Sequence, residues 1–321
     1  MRPKAGGRLS RLSGGWFILA AAFLWGTTGT AQAFAPPDAQ PMTIGTMRLA
    51  IGAVALCFLA AYRGELGRVR QWRSWPPVTT TIAAASIAAY QLFFFAAVAR
   101  TGVAVGTIVG IGSTPIAAGI LVLLVYREWP GRRWMVATAL AIAGCSLLIL
   151  ASESIRTDLV GIFLAVAAGA SYALYTLLSK DLLDKQPAGA VVTVTFSLGV
   201  LLLLPILLFG DLSWLLEPRG MAVALHLGVV TVGIGYLLFA IGLTAIPVAT
   251  TATLTLAEPL TAGLLGVFVL GEQLTTPAMI GIGLLLAGLL ILALQRSAPI
   301  DLELQAFADP AFDPDSQLPH P

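Results

Sequence analysis

The sequence predicts an all-α polytopic membrane protein of ten transmembrane helices, arranged as two five-helix repeats of inverted topology. Three observations carry this expectation. The 321 residues are 58% hydrophobic and 11% charged, with a mean hydropathy of +0.90, which no ordinary soluble domain combines. Apolar runs recur almost end to end, and a helix of about twenty such residues crosses roughly 30 Å of hydrocarbon. The back half also matches the front half at a fixed offset of 144 residues. "STPIAAGILVLLVYREWPGRRWMVATALAIAGCSLLIL" from Ser113 lies without a gap over "AEPLTAGLLGVFVLGEQLTTPAMIGIGLLLAGLLILAL" from Ala257. Pro115 falls on Pro259, Gly119 on Gly263, Glu128 on Glu272, Met135 on Met279 and Gly144 on Gly288, and upstream Phe95 meets Phe239. Shared leucines say little in apolar sequence; a shared proline, glutamate and glycines say more.

The spans follow from hydropathy and from the breaks between them. They fall at 15–34, 42–62, 77–99, 102–126 and 134–151 in the first half, and at 159–180, 188–210, 221–243, 248–271 and 277–295 in the second. Polar or proline-bearing separators such as "APPDAQP", "RGELGRVRQWRSW", "REWPGRR", "KDLLDKQP" and "GDLSWLLEPRG" punctuate them. The shortest breaks are "RTGV" and "TAIP"; without them two segments of near fifty residues would each be too long for one crossing. The expected organisation is a basic cytoplasmic segment (1–14), a first repeat (15–151), a linker (152–158), a second repeat (159–295) and an acidic, proline-rich, disordered cytoplasmic tail (296–321). Arg2, Lys4, Arg8 and Arg11 before an apolar run imitate a secretory signal. That run has a counterpart at Val160, with Gly15 on Gly161 and Phe17 on Phe163, so a retained span is expected.

Orientation follows from basic residues. With both termini cytoplasmic, fourteen of the eighteen Lys and Arg fall on the inner side, while Arg100, Arg156 and Arg219 fall outside. An odd number of spans per repeat turns the second copy upside down relative to the first. Cys57 and Cys145 lie within apolar runs and read as packing residues, not a disulfide framework. Nothing suggests nucleic-acid binding, a cofactor or a metal. There is no HExxH or GxSxG and no nucleotide-binding motif, so an enzyme is not expected.

An aromatic-Gly pair in span 1 (Trp25-Gly26), an arginine early in span 2 (Arg48), "TP" in span 4 (Thr114-Pro115) and "AEPL" followed by Gly271-Glu272 in span 9 are the remaining signals. With the duplicated ten-span pattern, they resemble the drug/metabolite transporter superfamily, and within it the bacterial EamA-type permeases, over residues 15–295. The resemblance implies an inner-membrane, multi-pass permease, typically exporting amino acids or other small metabolites. It also implies a central cavity surrounded by spans 1, 3, 4, 6, 8 and 9. The partners expected are a small-molecule substrate and the bilayer, with protons as candidate coupling ions through Glu258; proton coupling against facilitated movement and the oligomeric state stay open, a monomer being compatible. Uptake or facilitated movement of a sugar, vitamin or nucleoside-like solute, or a non-transport membrane subunit, stays open, as does the direction of transport.

Candidate residues are those that hydrocarbon tolerates least. Arg48 is an intramembrane charge, costing about 2.5–3.5 kcal/mol at the bilayer centre on insertion scales. It reads either as a counter-charge or ion-pair partner, or as a residue ~9 Å below the outer interface that snorkels to headgroups. The resemblance puts span 2 at the periphery and favours a structural role. Glu258, just before Pro259, reads as a coupling-proton carrier, a kink anchor or an interhelical partner. Its counterpart Thr114, before Pro115, is uncharged; both prolines are expected to kink their helices. Trp25, Tyr90, Gln91, Ser171, Tyr172, Tyr175 and Tyr236 are polar-tipped residues in cavity-lining spans, with interhelical hydrogen bonding as the alternative. Ser171 and Tyr175, at i and i+4, share a face. His226 reads as a bonded structural histidine. Gly102, Gly106 and Gly110 form a stripe for close helix contact.

Overall fold

The structure, a computed structural model, describes residues 7–127, 130–150, 158–270 and 276–293. Glu128, Glu272, most of the expected linker and the acidic tail lie outside these residues. All regular structure among the described residues is helical, and the chain order is α1 (Gly7–Ala33), α2 (Pro41–Tyr62), the short α3 (Leu66–Arg70), α4 (Pro77–Tyr126), α5 (Arg132–Leu150), α6 (Leu159–Leu183), α7 (Ala188–Phe209) and α8 (Pro218–Leu225). A π-helical stretch, His226–Ile234, joins α8 to α9 (Gly235–Ala245), and α10 (Val248–Leu254), α11 (Ala257–Leu270) and α12 (Thr276–Ala293) complete the chain. Six helices or helix segments among the described residues are long and apolar enough to cross a membrane. The protein is therefore a multi-pass membrane protein.

Prolines begin helices where their missing N–H costs nothing: Pro41, Pro77 and Pro218 each open one. Helix α6 begins differently, on Asp158, whose carboxylate accepts from Val160 N at 2.8 Å and Gly161 N at 3.1 Å. Helix α1 begins at Gly7, well before the expected start of its span.

Helix α4 is continuous by its local geometry over 50 residues, yet it cannot be straight. Eight residues of straight helix span ~12 Å, but a Cβ added to Gly106 would lie 3.1 Å from Val98 Cα, and one on Gly110 3.5 Å from the Phe94 ring. The chain therefore doubles back at "RTGV" into two limbs, and Gly106 and Gly110 of the glycine stripe are the close-contact surface between them. The two prolines behave differently. Helix α4 runs through Pro115 without interruption. Before Pro259 the helix is interrupted at Thr255 and Leu256, where Glu258 N bonds Thr255 O at 3.0 Å. Pro259 has no N–H for Thr255 O, and its ring crowds that carbonyl.

The connections sort onto two faces. On one face, Tyr126 at the end of α4 donates to Asp181 at 2.7 Å, Gln186 reaches Ser74 Oγ at 3.0 Å, and Gly14 packs on Ala245. Lys180 caps the end of α9 there through Leu243 O (2.5 Å) and Thr244 O (2.9 Å), a cation placed where helix carbonyls are unpaired. On the other face, Arg219 donates to Phe34 O and Arg100 pairs with Asp158 at 3.3 Å. Arg63, Arg68, Arg70, Arg73, Arg127, Arg132, Arg133, Lys180 and Lys185 belong to the first face.

Packing partners are exchanged between halves. Helix α1 lies on α9 and α11, α6 on the two limbs of α4, α2 on α7, and α5 on α12. Glycines set the closest crossing, as expected where no hydrophobic effect separates helix from lipid. A Cβ on Gly144 would meet Gly281 O and Leu285 N, both at 2.5 Å; one on Gly288 would meet Ala137 O at 2.5 Å and Ala141 N at 2.9 Å. Adding the offset of 144 to the first residue and subtracting it from its partners turns one set of contacts into the other.

Candidate functional site

The centre of the bundle holds a buried cluster of rings drawn from both halves. Trp25 of α1 sits 4.7 Å from Tyr236, 5.5 Å from Phe239 and 6.2 Å from Tyr172, centroid to centroid. Tyr90 lies 5.2 Å from Tyr172, Tyr175 6.2 Å from Tyr236, and Phe196 4.6 Å from Tyr236. The pairs are tilted or edge-on, and the edge-on arrangement is one that aromatic quadrupoles favour. Two glycines give Trp25 its place. Gly26 brings α1 against α11, since a Cβ there would lie 2.7 Å from Glu258 O, and Gly235 makes room for the indole, 2.7 Å from its Nε1. The indole N–H donates to Thr231 O at 2.8 Å, within the π-helical stretch. Wide π turns of this kind recur at functional sites.

Gln91 is buried, donates Nε2 to Gly45 O at 3.0 Å, and keeps Oε1 without a partner. Arg48 is only 8% exposed and its buried Nε has no hydrogen-bond partner. That overturns the peripheral, headgroup-reaching placement: α2 packs on α7 and on the π-helical stretch, and turns this side chain inward. Helical azimuth decides the matter, and distance from the interface does not report it. Glu258 is half-buried near the start of α11, where its backbone carbonyl faces Gly26 of α1. The direct ion pairs among the described residues are Arg63–Glu65 at 3.1 Å and Arg100–Asp158 at 3.3 Å; Arg48 and Glu258 form none. The interhelical ion pair, one of the readings open for Arg48, is not formed among the described residues.

The structure thus gathers Trp25, Tyr90, Tyr172, Tyr175 and Tyr236 in one ring cluster, while Gln91 bonds across to α2. Thr114 is buried beside Gly169 of α6, and its hydroxyl donates to Gly110 O at 3.1 Å. Ser171 is half-buried and donates to Ala167 O at 2.7 Å; on α6 it is Tyr172, with Tyr175, that enters the ring cluster. Pro115 and Pro259 stand in their helices as described above. His226 meets Thr27 Oγ1 at 2.9 Å through Nε2. The single Thr27 proton goes to Leu24 O at 2.6 Å, so Nε2 carries the imidazole hydrogen and donates it. Phe196, Phe239 and Thr231 complete the cluster and were not among the sequence candidates. Phe239 had a signal, its register with Phe95; Phe196 had none, being one more apolar residue in an apolar run. At the rim, hydrogen bonds from Gly161 and Val160, with Arg100 beside it, hold the Asp158 carboxyl below its usual range.

The EamA-like transporter family matches the chain twice, over residues 12–150 and 159–294. The chain belongs to the EamA-like transporter family. An uncharacterized transporter, YwfM of Bacillus subtilis, is 47% identical over 277 residues, covering 86% of this chain and 92% of that relative. The threonine/homoserine exporter RhtA of Escherichia coli K12 is 33% identical over 159 residues, which cover 48% of this chain and 51% of RhtA. A crystal structure 20% identical in sequence superposes with a TM-score of 0.75 over 87% of this chain and 96% of the other, which shows a shared fold. This EamA-family chain is therefore a membrane protein of a transporter family, consistent with drug/metabolite transporter membership.

Proposed function

We propose that this EamA-family protein is a secondary transporter that exports amino acids or similar small metabolites by alternating access, through a central cavity between its two halves. One observation carries the reading. Arg48 is buried and Glu258 half-buried, neither in a direct ion pair among the described residues, in a bundle whose centre holds rings from both halves. A charge in hydrocarbon costs several kcal/mol and persists where function needs it. A purely structural pair would close on itself, whereas separated charges with unpartnered Gln91 Oε1 and Tyr172 hydroxyl leave donors and acceptors for a small polar solute.

Ten spans in two inverted halves give this site its access route. The exchanged helix packing, the reciprocal Gly144 and Gly288 contacts and the alternation of connections between faces support that topology. Inverted halves can trade conformations, which exposes one site to each side in turn. The face rich in arginine and lysine is the cytoplasmic one, so both termini are cytoplasmic and the protein resides in the bacterial plasma membrane. Protons are the coupling ion, carried by Glu258. Liposomes containing the purified protein and loaded with each amino acid in turn test the function. Saturable efflux of at least one is expected; rates equal to protein-free liposomes for all twenty would overturn it.

A further inference from the structure

We propose that the groove between the second limb of α4 and α5 binds one anionic phospholipid, with an acyl chain lying along the groove and the phosphate meeting Arg132 and Arg133. This site lies on the outer surface of the bundle and does not depend on what the protein carries.

Packing creates the groove. Gly119 of α4 and Trp134 of α5 meet closely, since a Cβ on Gly119 would lie 2.7 Å from Cη2 of the indole. Beside that contact the two helices leave a concavity of about 540 Å³, within the ~300–1,000 Å³ of small-molecule sites. Ile116, Ile120, Leu123, Met135 and Ile142 line it, and Ile116, Ile120 and Met135 are exposed. Its one hydroxyl, that of Thr138, is already bonded to Thr253 of α10 at 2.8 Å, so the walls offer little but hydrocarbon.

Length and charge identify the occupant. Arg132 and Ala143, at the two ends of the groove along α5, are eleven positions apart, which is ~16 Å of helix. One leaflet's hydrocarbon is ~15 Å deep, half of the bilayer core. The groove thus runs from headgroup level to the midplane, the path of an acyl chain. At its mouth the connection "REWPGRR" (127–133) carries three arginines against one glutamate. Arg127, Arg132 and Arg133 are exposed and form no ion pair among the described residues. Guanidinium forks match phosphate oxygens, and basic pockets at the ends of membrane helices hold anionic headgroups.

Other occupants match only part of this. A neutral lipid would fill the groove and leave the arginines unmatched; a soluble anion would do the reverse. A second copy of this chain, inserted the same way, would set arginines against arginines. Nor is the site a by-product of the duplication. At the offset of 144, Gly119 meets Gly263, but Trp134 meets Ala278, Arg132 meets Thr276 and Arg133 meets Pro277. The glycine recurs in the second half; the ring and the charges do not.

Fluorescence quenching tests the site, with the full-length protein in phosphatidylcholine bilayers doped with phosphatidylglycerol or phosphatidylcholine brominated in the acyl chains. The signal lost in Trp134→Phe isolates this ring from the other tryptophans. One arginine near an anionic surface strengthens attraction about fivefold. Half-quenching of Trp134 should therefore need at least about tenfold less brominated phosphatidylglycerol than brominated phosphatidylcholine. Arg132→Gln with Arg133→Gln should bring the two lipids close to parity. Ala143→Phe, which fills the groove from an exposed position, should remove the tight component although the arginines remain. The wild-type ratio stands even if a variant fails to fold. Equal quenching by the two lipids would overturn the site, and so would a preference that survives Ala143→Phe, which would mean headgroup attraction alone. Protection of Trp134 from both lipids would mean that a second copy covers the groove, and would overturn it too.

Discussion

Replacing Gly144 and Gly288 by alanine, singly and together, probes the packing that joins the two halves. Each new methyl would sit 2.5 Å from a backbone carbonyl of the facing helix, with a backbone nitrogen at 2.5 Å for Gly144→Ala and 2.9 Å for Gly288→Ala. No rotamer change relieves such a clash, so α5 and α12 must separate by about 1 Å to restore an ordinary contact near 3.5 Å. Overpacking of this size costs about 1–3 kcal/mol per site. Both methyls open the same gap, so the second enters space the first has made. The double variant should then lose less than the sum of the singles, with a coupling of about 0.5 kcal/mol or more. Thermal unfolding in detergent reads this out, at roughly 2–4 °C per kcal/mol on the scale of soluble domains. Gly283→Ala is the control: it lies on α12, but a Cβ there meets nothing within 4 Å, so alanine should be neutral or stabilising by up to ~1 kcal/mol. Strict additivity, or single variants as stable as the control, would refute the reciprocal contact.

Other outcomes follow from single side chains. Trp25→Phe keeps the ring but strands Thr231 O, now bonded at 2.8 Å; a loss of about 1–3 kcal/mol is expected, and an unchanged melting temperature would mean the bond contributes nothing. Asp158→Asn keeps a capping oxygen but removes the charge. Because folding lowers the Asp158 pKa, its ionised form stabilises above the unfolded value of about 3.9. The advantage of wild type over Asn should be full at pH 7 and fade as pH falls below that value; an advantage that grows in acid would contradict it. Glu258→Gln should remove acceleration of flux by a pH gradient, and retained gradient dependence would exclude Glu258 as the proton site.

Much of the fold was legible because lipid imposes a simple rule: apolar length makes a helix, and polar or proline-bearing segments end it. Even the brief "RTGV" signal marked a real reversal, although local helical geometry continues across it. Registers between halves were also legible, since Gly144 and Gly288 matched in sequence before their contacts matched in space. Azimuth was not. In a helix apolar all round, nothing in the pattern says which side faces lipid, so the sequence leaves Arg48 open between headgroups and the protein interior, and the structure buries it. The same ambiguity hid Phe196, and it favoured Ser171, whose hydroxyl bonds its own helix, over a role for Phe239. Tyrosines and Gln91 were found because hydrocarbon penalises an unpaired polar atom wherever it faces. The π turn at His226–Ile234 had no signal, since it differs from an α turn only in hydrogen-bond spacing.

Counterflow tests the central claim most directly. Liposomes carrying the protein are loaded with millimolar unlabelled amino acid and diluted into a trace of the labelled form, with no ion gradient. A carrier that alternates access through one site should drive transient accumulation of label above equilibrium, dependent on internal substrate. Label that only equilibrates, at a rate indifferent to what the liposome contains, would contradict alternating access.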